Sequence, residues 1–162
     1  MRNLFVLFVS VFVLTSCATV DSSEKAERRR EKAETVNKAI ERRRYVIDVS
    51  MAHPLKGRSV TLTSDYELEV INDSVISYLP YFGRAYSIPY GGGKGLNFTA
   101  HISEYLSEKK KNGTQISFKA KNDEDTYTFN IEVFESGTAI INVFSQQRDR
   151  ISFDGELSGQ AE

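Results

Sequence analysis

The chain has 162 residues, of which 40% are apolar and 27% charged, with a net charge of −1, one cysteine and two histidines. A single cysteine rules out disulfides within the chain and any thiolate-rich metal centre. Two histidines 48 residues apart, His53 and His101, have no second histidine at helical ligand spacing.

Met1-Arg2-Asn3 carries one positive charge, and the eleven residues from Leu4 to Leu14 are apolar except for Ser10. A bilayer-spanning helix needs about 20 apolar residues, so this stretch reads as the apolar region of a secretory signal peptide. It ends in Leu14-Thr15-Ser16-Cys17. That sequence resembles the lipobox of bacterial lipoproteins, an aliphatic residue and two small ones before the cysteine. The resemblance implies a signal peptide over residues 1–16, cleavage before Cys17, and acyl chains on Cys17 that hold the protein to a membrane. Each buried methylene contributes about 0.8 kcal/mol, so several chains anchor far more firmly than one. Ala18 stands where an aspartate often retains lipoproteins in the inner membrane, and Ala18-Thr19-Val20 precedes any acidic residue. The resemblance therefore implies a bacterial outer-membrane position, facing the periplasm.

Cleavage leaves 146 residues, enough for one domain and a tether. Residues 22–44 read as a polar helix rich in Ala, Glu, Lys and Arg. Asp21 and Glu24 are spaced as a capping pair, and Glu24/Arg28 and Glu34/Lys38 as i,i+4 ion pairs. Ala26, Ala33, Val36 and Ile40 form a thin apolar stripe, too sparse for a coiled coil. Residues 17–44 are thus expected to be a lipidated cysteine and a helical stalk, solvated or weakly docked through that stripe. At about 1.5 Å per residue the stalk reaches on the order of 35 Å. Residues 18–44 hold nine basic and six acidic side chains, with arginine runs at 28–30 and 42–44. Interleaved acids and an exported, tethered location argue for solvation or lipid headgroups and against nucleic acid.

From Tyr45 the apolar period changes from that of a helix to two. Tyr45, Ile47, Val49 and Met51 alternate with polar or smaller neighbours, as do Val60 and Leu62, then Tyr66, Leu68 and Val70. After the Asn72-Asp73 turn pair come Ser74 to Leu79, Phe98 to Ile102, Ile116 and Phe118, Tyr127 to Val133, Ala139 to Phe144, and Ile151 to Phe153. Turn residues recur at Asn112-Gly113, Asn122 to Asp125, Ser136-Gly137 and Asp154-Gly155. Short alternating strands with turns between them predict an all-β domain over residues 45–162, an antiparallel meander. Sandwich, barrel and open curved sheet all fit the pattern. Tyr105 to Asn112 reads as a helical turn or a charged loop.

Residues 78–95, YLPYFGRAYSIPYGGGKG, crowd five aromatics, two prolines and five glycines into eighteen positions, with the two basic residues Arg84 and Lys94. Aromatic rings offer flat apolar faces, arginine a forked donor, and glycines close access to backbone amides. Tyr81, Arg84, Tyr86, Tyr90 and Lys94 are therefore the candidate binding surface, suited to a glycan or a peptide. The other reading is that the aromatics fill the core while prolines and glycines turn the sheet. Leu79-Pro80-Tyr81-Phe82-Gly83-Arg84-Ala85, the glycine-rich turn and the β pattern downstream resemble an uncharacterised family of Bacteroidetes lipoproteins, domain of unknown function 4251. That resemblance spans roughly residues 45–160 and implies the envelope address and the all-β fold. It carries no activity, catalytic residue or cofactor with it.

Other motifs are weaker. Gly91 to Gly95 is glycine-rich, yet Lys94 is followed by Gly95 and not by the Ser or Thr that a phosphate loop needs. No serine sits in G-x-S-x-G. Asp123-Glu124-Asp125 reads as a hairpin tip rather than a calcium loop. Asp73-Ser74-Val75 resembles the short O-glycosylation acceptor motif of exported Bacteroidetes proteins, which makes Ser74 a modification candidate. The expectation is a lipid-anchored, non-catalytic binding or protein-interaction module, with no cofactor or metal, whose partner is an envelope protein or glycan. The alternative is a hydrolase of an envelope polymer that uses His53 or His101 with a carboxylate.

Overall fold

Among the described residues, one helix and eight antiparallel strands follow one another in chain order, and each strand pairs with the next. The computed structural model describes residues 18–86 and 95–159, with the helix side chains described from Ser23 onward. Residues 1–16, read from the sequence as a signal peptide, and Cys17, Tyr90 and Lys94 lie outside the described residues. The elements are α1 (Ala18–Glu41), β1 (Arg44–Pro54), β2 (Val60–Ile71), β3 (Ser74–Leu79), β4 (Leu96–Lys110), β5 (Gly113–Lys121), β6 (Thr126–Phe134), β7 (Thr138–Phe144) and β8 (Ile151–Gly159). β8 returns to pair with β1, so the meander closes into a barrel without an edge strand to guard. Of the three predicted architectures, the barrel is the one observed. Among the described residues no helix is long and apolar enough to cross a membrane.

Alternation builds the core. Along β6, Tyr127, Phe129, Ile131 and Val133 are fully buried, while the intervening residues keep partial exposure. Phe98 stacks on Tyr127 at 4.7 Å between ring centroids, and Phe118 on Phe129 at 5.0 Å. Burying one such side chain contributes about 1.5–3 kcal/mol, so these rings dominate the filling of the barrel.

Three expectations about strands need correction. Tyr105 to Asn112 is neither helix nor loop, because β4 runs on to Lys110. A bulge at Glu104, held at a φ of 53°, resets the alternation so that Tyr105 turns inward and Leu106 faces solvent. Asp154-Gly155 is not a turn but the middle of β8, where a Cβ on residue 155 would strike the Asp48 carbonyl oxygen. Met51 does not continue the inner face of Tyr45, Ile47 and Val49. The register of β1 shifts between Val49 and Met51, which places Ala52 inside and His53 outside.

The helix starts no later than Ala18, so Asp21 lies within it and does not cap it. The predicted ion pairs Glu24–Arg28 and Glu34–Lys38 form at 2.7 and 3.6 Å. Its last two turns leave solvent: Val36, Ala39 and Ile40 belong to the same buried cluster as the barrel interior. Lys32 reaches Glu156 on β8, and the backbone N–H of Asn72 donates to the Arg43 carbonyl at 2.7 Å. The helix is therefore solvated near its start and docked near its end. It covers the barrel end formed by the β2–β3, β4–β5 and β6–β7 turns.

Candidate functional site

The opposite end of the barrel carries the β1–β2 turn, the β3–β4 connection, the β5–β6 turn and the β7–β8 connection. Two of these segments are joined by an isolated antiparallel bridge between Ala85 and Arg148. The Tyr86 N–H donates to the Gln147 carbonyl at 2.8 Å, and the Asp149 N–H to the Arg84 carbonyl at 3.0 Å. The Tyr81 hydroxyl is shared between the carbonyls of Arg84 and Asp149, at 2.9 and 3.0 Å. The Tyr86 hydroxyl donates to Asp149 Oδ1 at 2.6 Å.

Beneath this layer Arg148 Nη2 meets Glu124 Oε2 at 2.7 Å, and the Arg148 guanidinium lies 5.3 Å from the Tyr81 ring centroid. The β5–β6 turn that supplies Glu124 is itself fixed. Asn122 Oδ1 accepts from the N–H groups of Glu124 and Asp125, a side-chain-capped turn. Asp125 accepts from the N–H groups of Thr126 and Gln147 at 2.7 and 2.9 Å. The carboxylates of Glu124 and Asp125 are thus turned on arginine and backbone donors.

Electrostatics follow from these contacts. The hydrogen bond to Asp149 and its negative charge hold the Tyr86 hydroxyl above the ordinary phenol range, and the same bond holds Asp149 below the ordinary carboxylate range. Burial raises Tyr81, helped by the Asp149 charge. Burial opposes the charge on Arg148, but the hydroxyl of Tyr127 and the Glu124 carboxylate together outweigh it and hold the guanidinium firmly protonated.

Of the five residues predicted for a binding surface, Arg84 and Tyr86 are exposed, Tyr86 to 64%, and Tyr81 is half-buried as the pillar under them. Phe82 adds a further partly exposed ring. The sequence reading took Glu124 only for part of a hairpin tip and missed Arg148 and Asp149, all of which hold the surface in shape. The only sequence signal of Arg148 and Asp149 is the lapse of alternation over residues 145–150, SQQRDR.

The two histidines have different surroundings. His101 is exposed on the outer face of β4 opposite Ser74, which is also exposed. His53 Nε2 lies 2.8 Å from Asp154 Oδ2, and its Nδ1 lies 2.8 Å from Ser59 Oγ. His53 also borders a cleft of about 280 Å³ between the ends of β1, β7 and β8, lined by Leu55, Asn142, Phe144, Arg150 and Ser152 among others. Among the described residues no cluster of three or more His, Cys, Asp or Glu side chains is placed to hold a metal ion.

Fold and site together define an eight-stranded antiparallel barrel, closed at one end by its own helix and carrying a braced aromatic surface at the other. The chain belongs to the DUF4251 family, a domain of unknown function, whose sequence profile matches residues 27–157. The match begins inside α1 and not at Tyr45, consistent with a helix that shares the barrel's core. The crystal structure of a DUF4251 family protein from Bacteroides eggerthii superposes with a TM-score of 0.60, covering 79% of this chain and 87% of that one at 13% identity. At that identity the likeness is one of fold. No curated protein matches the chain.

Proposed function

We propose that this protein is a lipid-anchored module of the bacterial outer membrane, facing the periplasm, that binds another envelope protein through the surface around Tyr81, Arg84 and Tyr86. The anchor rests on the sequence of residues 1–17, with Cys17 as the acylated residue. One observation carries the binding reading: an exposed tyrosine and arginine sit on a connection braced from the β7–β8 side by four hydrogen bonds. Pre-ordered rings and arginines lose little conformational entropy on binding, which is why such residues dominate binding energy at interfaces. The test is retention of a partner from solubilised envelopes by the wild type and by an Arg84→Ala/Tyr86→Ala double variant. A partner held by the wild type and lost by the folded variant supports the reading; equal retention by both refutes the site.

A hydrolase of an envelope polymer is the second reading, favoured by the Ser59–His53–Asp154 chain of hydrogen bonds. A hydroxyl within reach of an imidazole, itself oriented by a carboxylate, is the arrangement an activated nucleophile needs. Labelling of Ser59 by a fluorophosphonate, lost in His53→Ala, would support it. Absence of labelling in the folded protein would remove it.

A further inference from the structure

The cleft beside His53 combines two features that the loop surface does not explain. Leu55 and Phe144 are exposed to 43% and 37%, although large apolar side chains elsewhere in β1, β7 and β8 are mostly buried. Both border the cleft, and Pro54 and Ile151 extend its apolar wall. Arg150 stands on the same rim, exposed and without an ion-pair partner among the described residues. Lys56 and Arg58 on the adjoining β1–β2 turn are exposed as well and add positive charge on that side. Of the neighbouring carboxylates, Asp154 is engaged by His53, and Asp149, next to Arg150 in the chain, accepts from the Tyr86 hydroxyl.

We propose that this cleft binds a small amphipathic carboxylate, with its apolar tail against Leu55 and Phe144 and its carboxylate on Arg150. The Arg150 guanidinium supplies a forked donor that matches a carboxylate, and the Asn142 amide and Ser152 hydroxyl on the same wall supply neutral donors. The volume of about 280 Å³ lies at the small end of ligand pockets, which suits a short acyl chain better than a polymer. Both ring nitrogens of His53 are already engaged, so His53 shapes the wall and is not required to contact the anion. The inference uses none of the residues of the proposed partner surface and stands or falls separately from it.

The test is the fluorine NMR linewidth of 6,6,6-trifluorohexanoate mixed with the full chain in detergent. Comparison is made with Arg150→Gln and Phe144→Ser variants in the same detergent, so that micelle partitioning cancels. The wild type broadens the signal, and unlabelled hexanoate restores it. Hexan-1-ol at the same concentration competes at least about tenfold less well for want of the charge, and acetate for want of the tail. Both cleft variants lose the broadening, whereas Arg84→Ala/Tyr86→Ala keeps it. Equal broadening by the wild type and the cleft variants would overturn the proposal, as would hexan-1-ol competing as well as hexanoate.

Discussion

Arg148 and Glu124 meet at 2.7 Å with their side chains only 6% and 7% exposed, joining the β7–β8 connection to the β5–β6 turn beneath the aromatic surface. A charge pair so enclosed is strongly destabilising to break from one side, because the remaining charge is left buried. Arg148→Leu should lose about 3–5 kcal/mol in denaturant unfolding, a large share of the 5–15 kcal/mol typical of a domain. A Glu124→Gln/Arg148→Met double variant should recover most of that loss. The Tyr86 amide, which donates to Gln147, should exchange faster in the single variant.

The docked end of the helix gives a second expectation. Ile40→Ala, at a buried position in the barrel's cluster, should cost about 2–5 kcal/mol. Ala26→Gln on the exposed part should stay within about 0.5 kcal/mol. Equal, small effects at both positions would mean that the whole helix is a free stalk.

The contrast between these two sites marks how far the sequence was legible. Period-two alternation announced β1, β3, β5, β6 and β7, because one face of each is buried and the other is not. The stripe of Val36 and Ile40 announced the docked side of the helix. Bulges were illegible: the shifts after Val49 and at Glu104 move side chains across the sheet without any residue type that demands it. β8 hid its length because a glycine needed for close approach to Asp48 looks like a turn glycine. The aromatic surface was found from composition. Its Arg148–Glu124 brace was not, since it joins two loops separated by two strands.

Gly155→Ala tests the close approach. The added methyl would meet the Asp48 carbonyl oxygen and lie 3.0 Å from Ile47 Cγ2, so β1 and β8 must part. A loss of about 1–3 kcal/mol is expected from overpacking at this point. A turn glycine at an ordinary φ would tolerate the same change.

The Tyr86–Asp149 bond sets a pH window. Asp149 is lowered in the folded state, so its contribution is present above the ordinary carboxylate range and is lost as pH falls through the depressed value. Tyr86 is raised, so its contribution is complete below the ordinary phenol value of 10.0 and is lost as pH rises through the folded-state value. The bracing bond therefore persists throughout the neutral range. Titration of the Tyr86 ring carbon beside the hydroxyl by NMR should give a midpoint above 10.0, and Asp149→Asn should move it down.

The central claim is that the loop end of the barrel is the face that meets a partner. Its most direct test is a photo-crosslinking amino acid placed at Tyr86 in intact envelopes, with the same group at Leu106, which is exposed to 69% on the far end of β4, as control. The account predicts a discrete adduct at residue 86 that is absent at 106 and is lost with Arg84→Ala. No adduct at 86, or the same adducts at both positions, would contradict it.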